Sequence, residues 1–210
     1  MTVRDTAVAT LGLIQRFTPR LATEAAYVLW LSSGLPKQVH PREQAIIDEA
    51  TRSTIRVNGN RIAVYTWGGG PNTVLLTHGW HGRAADFGDI VQELRRGDRT
   101  IIAFDAPGHG ESRGRLPDVR DFAATIEALG HRYGPFEAMV AHSFGNLAST
   151  LAIRDETWVP YGQAEVLAAA HPETSRTMLT SGLNHHRVLR DEQVLDAITL
   201  FLSESDASAV

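Results

Sequence analysis

From Thr73 onward, near-continuous apolar runs alternate with stretches of helical period. Thr73-Val74-Leu75-Leu76-Thr77 and Thr100-Ile101-Ile102-Ala103-Phe104 are apolar at successive positions, as strands buried on both faces are. Phe136 to Ala141 is a third such run. Ala84 to Arg96 and Asp118 to Tyr133 read as helices, the second with Phe122, Ile126 and Leu129 on one side. Strands alternating with helices predict a mostly parallel sheet with right-handed crossovers. Thr54 to Tyr65 differs: apolar and polar positions alternate around Asn58-Gly59, which predicts a hairpin with a tight turn.

The first fifty residues follow another pattern. Over residues 5–33, Leu11, Ile14, Leu21, Ala25, Val28 and Leu29 recur at helical spacing. Ser33-Gly34-Leu35-Pro36 ends this region, and Pro41 opens a short helix through Ala50 with Ile46 and Ile47 facing inward. The expected organisation is a helical arm over residues 1–50 and an α/β domain over 51–210. The arm packs on the domain in one reading; in another it covers a substrate entrance or touches a membrane surface.

Composition narrows the function classes. The 210 residues are 43% hydrophobic and 21% charged, enough for one domain with a sizeable core. A net charge of −4 gives no basic surface for nucleic acid. There is no cysteine, which excludes disulfides, thiolate catalysis and cysteine metal sites and fits a cytoplasmic protein. Arg16, Arg20, Glu24 and Pro19 break the apolar patches near the N-terminus, so no membrane span is expected.

Chemistry concentrates at Met139-Val140-Ala141-His142-Ser143-Phe144-Gly145-Asn146. An apolar run ends in a serine held between the small residues Ala141 and Gly145, and a helix-like stretch follows. This is the layout of a nucleophile elbow, a strand-to-helix turn that lifts the serine oxygen out of the sheet. Its plainer reading is Ser143 as an ordinary helix N-cap. His78, Asp105 and Ser143 all fall at the carboxyl ends of predicted strands, where such sheets carry their sites. Trp67-Gly68-Gly69-Gly70-Pro71 lacks the lysine and spacing of a phosphate loop. His78 and His81 are spaced like metal ligands but have no evident third ligand, so no metal site is expected. His78 and His109 are instead expected to hydrogen-bond loop backbone.

Taken in order, His78-Gly79, Asp105-Ala106-Pro107-Gly108-His109-Gly110 and Ala141-His142-Ser143-Phe144-Gly145 resemble the α/β-hydrolase superfamily. The resemblance runs from about Thr54 to Leu202. It implies Ser143 as nucleophile, and an oxyanion hole from the backbone N–H groups of Phe144 and Trp80. It implies a last strand at Thr177-Met178-Leu179-Thr180, a catalytic histidine at His185 with His186 as the competing neighbour, and a closing helix from Asp191 to Leu202. The implied activity is hydrolysis of small carboxylic esters, without a cofactor. A serine in this place argues against the dehalogenase and epoxide hydrolase branches, which use aspartate there.

One region departs from the superfamily. Only 42 positions separate Ser143 from His185, and Asp155-Glu156-Thr157-Trp158-Val159-Pro160 resembles its acid loop. Strands six and seven and the cap look removed, leaving about six or seven strands. By pattern Asp155 or Glu156 is the acid. Yet a helix over residues 144–155 spans ~18 Å and carries Asp155 away from the site. An early helix end near Ser149, with Thr150 to Arg154 returning as a strand, would restore the reach. Asp105 and Glu165 are fallback partners for His185. The alternative to an enzyme is a non-catalytic remnant used for binding, and a truncated sheet edge would favour a homodimer.

Overall fold

The computed structural model describes residues 3–31, 38–114, 117–153 and 187–207. The expected hairpin forms from β1 (Thr51–Val57) and β2 (Asn60–Gly68). Asn58 at φ +47° and Gly59 at φ +80° make the two-residue turn, and Val57 faces Asn60 across it. β3 (Asn72–Thr77), β4 (Arg99–Phe104) and β5 (Ala138–Ala141) are the three apolar runs. The sheet order is β1-β2-β4-β3-β5. β4, β3 and β5 run parallel, while β1–β2 and β2–β4 pair antiparallel, so the sheet is mixed. Five strands lie among the described residues; Thr177-Met178-Leu179-Thr180 lies outside them.

The period of two along each strand divides the core into two layers. Val74 and Leu76 of β3 face one layer, with Ile46, Ile90 and Leu202. Leu75 faces the other, with Ile62, Phe122 and Ala148. The first layer holds α3 (Pro41–Asp48), α4 (Gly88–Leu94) and α7 (Glu192–Ala207). The second holds α5 (Val119–Tyr133) and α6 (Phe144–Ile153). The chain moves from β3 to β4 through α4 on one face, then back past β3 to β5 through α5 on the other. Opposite directions on opposite faces give the two crossovers the same hand, which the twist of parallel strands favours as right-handed.

Local chemistry sets the helix starts. Asp118 accepts the N–H groups of Arg120 and Asp121 and caps α5. His40 and Glu43 form a capping box at α3, whose Ile46 carbonyl accepts the Trp67 indole N–H at 2.7 Å. The helix expected from Ala84 to Arg96 is instead a 3₁₀ turn (Ala84–Phe87) followed by α4. Two acceptors hold that tighter turn: Asp86 takes the Arg83 N–H and Asp105 takes the Ala84 N–H. A second 3₁₀ turn (Arg187–Arg190) precedes α7, and Arg190 pairs with the buried Glu43.

The N-terminal pattern gives two helices, α1 (Val3–Phe17) and α2 (Pro19–Leu31), which pack on each other. Leu13, Phe17, Leu21, Tyr27 and Val28 are exposed on them. No helix among the described residues is long and apolar enough to cross a membrane.

Candidate active site

β5 ends at Ala141 and α6 begins at Phe144, so the chain reverses within His142 and Ser143. The turn needs a left-handed residue, and Ser143 takes it at φ +55°. A non-glycine residue there is strained, and such strain gathers at functional positions. An N-cap serine is extended, so the plain N-cap reading does not describe Ser143. Its side chain is exposed to solvent. Gly145 N–H donates to His142 O and Asn146 N–H to Ser143 O, both at 2.9 Å, which closes the first turn of α6.

The elbow is pressed onto the end of β3. His142 N–H donates to Thr77 O at 2.9 Å. A Cβ on Gly145 would lie 2.5 Å from Thr77 O and 2.6 Å from His78 O, so only glycine fits. A Cβ on Gly79 would lie 3.0 Å from Ser143 Cβ, so the backbone entering Trp80 runs beside the serine. The structure therefore brings together Ser143, Phe144 and the Gly79-Trp80 backbone, three of the expected parts. The N-terminus of α6 points its positive dipole end at the same place.

Two histidines brace the strand-exit loops. His78 Nε2 accepts the Ala106 N–H at 2.9 Å, so its Nδ1 carries the proton and donates to Gly79 O at 2.7 Å. His109 Nε2 accepts the His81 N–H at 3.2 Å, and its Nδ1 donates to Pro107 O at 2.9 Å. Both rings are neutral by this arrangement. Burial, and then the neighbouring His78, push His109 down to about 3. The lone pair a metal would need on His78 is already used. No group of ligating side chains among the described residues could hold a metal ion.

Asp105 is fully buried and committed on both oxygens. Oδ1 accepts the Ala84 N–H at 2.8 Å; Oδ2 accepts the Tyr65 hydroxyl at 3.0 Å and the Glu111 N–H at 2.7 Å. The buried Arg83 guanidinium lies 3.7 Å from Oδ2. Burial, and then Asp105 itself, raise the Tyr65 phenol far above its ordinary value, so it stays a donor. Three hydrogen bonds and a buried guanidinium give this carboxylate a structural role in holding the strand-exit loops, and its fallback partner His185 lies outside the described residues.

An aromatic platform beneath the serine was not legible in the sequence. The Trp80 ring meets Phe144 edge-on at 5.0 Å and Phe122 at 6.3 Å, and Phe144 meets Phe122 at 5.1 Å. These residues come from three elements, and no local pattern links them. His185, His186, Asp155, Glu156 and Glu165 lie outside the described residues. α6 bears on them, because it stays helical through Ile153. The early helix end near Ser149, and a returning strand beginning at Thr150, are therefore not formed. The ten residues of α6 cover ~15 Å and leave Ile153 near the amino ends of the strands.

The model of the Alpha/beta hydrolase family matches residues 74–207. No curated protein matches the chain. Among solved structures, a thioesterase domain from the curacin biosynthetic pathway is 23% identical with a TM-score of 0.46, over 49% of this chain and 39% of that one. A mutant epoxide hydrolase from Vigna radiata is 22% identical with a TM-score of 0.44, over 50% and 34%. The Cif epoxide hydrolase from Acinetobacter nosocomialis is 19% identical with a TM-score of 0.45, over 59% and 45%. The chain thus covers less than half of each. With its mixed sheet, its helices on both faces and a family match over 134 of 210 residues (207 − 74 + 1), the chain belongs to the alpha/beta hydrolase family.

Proposed function

We propose that this chain is a serine hydrolase acting on small carboxylic esters through an acyl-enzyme on Ser143. The observation that carries the reading is the exposed Ser143 at φ +55° between β5 and α6, against the Gly79 backbone. In the proposed reaction Ser143 Oγ attacks the ester carbonyl carbon and gives its proton to His185. The backbone N–H groups of Trp80 and Phe144 take the developing oxyanion. Collapse breaks the ester C–O bond, and the leaving alcohol takes the proton back from His185. Water then attacks the acyl-enzyme by the same route and releases the acid. No cofactor enters any step, and a cysteine-free chain suits a cytoplasmic setting.

Asp155 is the acid that the loop pattern offers for His185. The course of α6 counts against it, since Asp155 follows Ile153 by two residues at the far end of the helix. A serine–histidine pair without its acid keeps the oxyanion hole and loses imidazole orientation, so the proposed enzyme is a weak one. The same observation favours one second reading, a catalytically silent member of the family used for binding. Hydrolysis of p-nitrophenyl butyrate by the wild type and by Ser143→Ala separates them. The proposal expects turnover that falls to the uncatalysed rate in the variant, with the thermal midpoint retained. Equal rates in the two proteins would remove Ser143 from the chemistry.

A further inference from the structure

The geometry points to an anion site at the turn end of the β1–β2 hairpin, built from Arg56, Arg61, Arg113 and Thr54. Its ligand is the phosphate group of a small hydroxylated phosphate ester. The strand register brings the cations together. Arg56 of β1 faces Arg61 of β2 as a direct cross-strand pair, so both side chains leave the same face of the hairpin, with Cβ atoms ~5 Å apart. Arg113 N–H donates to Arg61 O at 2.8 Å. The three arginines thus stand on three neighbouring stretches of backbone, and all three are exposed. Like charges directly opposite one another in a sheet are destabilising. Among the described residues none of the three forms an ion pair with a carboxylate that would offset this.

A cavity of about 290 Å³ opens beside the pair, with Arg52, Thr54, Arg61, Tyr65 and Glu111 in its lining. That is close to the lower end of small-molecule sites, ~300 Å³. Arg61 Nη2 donates to the Glu111 carbonyl oxygen at 3.1 Å, and its other N–H groups are uncommitted among the described residues. Thr54 lies on the same face, opposite Ala63, and its hydroxyl has no hydrogen bond among the described residues.

Charge selects the ligand. Arg52 lies 3.3 Å from Asp48 and 3.2 Å from Glu111, and Arg83 lies 3.7 Å from Asp105. These two cations answer three carboxylates. With Arg56, Arg61 and Arg113 the group holds five cations against three anions, a surplus of two (5 − 3), in a chain whose net charge is −4. Two positive charges match a phosphate monoester dianion, and the guanidinium fork suits its paired oxygens. Glu111 adds selectivity. Its Oε1 accepts from Arg52, while its Oε2 has no partner among the described residues and can accept a ligand hydroxyl. The patch ends with one hairpin, which fits a small ligand and not the long charge track of a nucleic acid.

The test reads binding and not turnover, so it stands apart from the hydrolase reading. The full chain is titrated calorimetrically with glycerol phosphate, inorganic phosphate and glycerol at low ionic strength. A one-to-one complex with glycerol phosphate is expected, weakening as salt is added. Inorganic phosphate is expected to bind more weakly, and glycerol not at all. Arg56→Gln is expected to lose about tenfold or more in affinity. Its ligand-free thermal midpoint should stay the same or rise, because a like-charge pair has gone. Thr54→Val, which removes the free hydroxyl, should also bind more weakly. Affinity undiminished in Arg56→Gln, or no binding of glycerol phosphate at millimolar concentration, would overturn the inference. So would equal affinity for the two phosphates, which would make the ligand the free ion. β1 is an edge strand among the described residues, and exposed charges also guard such edges. An Arg56→Gln protein that dimerises, from a wild type that ignores phosphate, would assign the arginines to that role instead.

Discussion

A Cβ on Gly145 would stand 2.5 Å from the carbonyl oxygen of Thr77, so the first turn of α6 rests directly on the end of β3. Both contacting groups are backbone and cannot swing aside. Gly145→Ala is therefore expected to cost about 3 kcal/mol, at the upper end of ordinary overpacking. Urea unfolding of the variant checks this; a midpoint within error of the wild type would mean that the elbow has slack.

The same contact shows how far the sequence could be read. Ala141, Ser143 and Gly145 declare the elbow because their spacing is a local pattern of five residues, although the carbonyl that crowds Gly145 belongs to Thr77 of β3. The strands β3 and β4 are legible because their buried stretches, Val74 to Leu76 and Ile101 to Phe104, carry no polar residue. The buried bonds of Asp105 are not legible in the sequence because its partners come from elsewhere: Tyr65 lies 40 positions upstream and Ala84 lies 21 upstream. The Trp80–Phe122–Phe144 platform was missed for the same reason. The 3₁₀ turn at Ala84–Phe87 follows from an acceptor, Asp105, that helical periodicity cannot reveal.

Asp105 and Arg83 are both buried, and removing one takes from the other an opposite charge 3.7 Å away. Asp105→Asn is expected to destabilise the fold by about 3–5 kcal/mol. Tyr65→Phe deletes a single hydrogen bond to that carboxylate and should cost about 1–2 kcal/mol. Unfolding curves of the two variants test the order. An Asp105→Asn protein as stable as the wild type, but inactive, would return Asp105 to the catalytic candidates.

His109 links stability to pH. Its folded value is pushed down to about 3, while an unfolded histidine titrates near 6.5. Between these values the unfolded chain holds the extra proton, so stability rises with pH across the window. The contribution is fully present above about pH 6.5 and is lost as pH falls toward 3, at no more than about 1.4 kcal/mol per unit. Urea midpoints from pH 7 to pH 4 should fall less steeply in His109→Asn than in the wild type. Parallel slopes in the two proteins would show that His109 is not the titrating group.

The acid prediction follows from the length of α6. Asp155→Asn and Glu156→Gln are each expected to change kcat/KM by less than roughly tenfold, about 1.4 kcal/mol. A well-placed triad acid is worth about 10⁴ in rate in the serine-protease example. A thousandfold loss in Asp155→Asn alone would mean that residue 155 does reach the imidazole.

The central claim is that Ser143 is a nucleophile held ready by the elbow. Labelling with a fluorophosphonate probe, followed by mass-spectrometric mapping of the modified peptide, tests it most directly. The account predicts one label on Ser143, absent from a folded Ser143→Ala protein. A native wild-type chain that takes up no label, or takes it up at another residue, would contradict it.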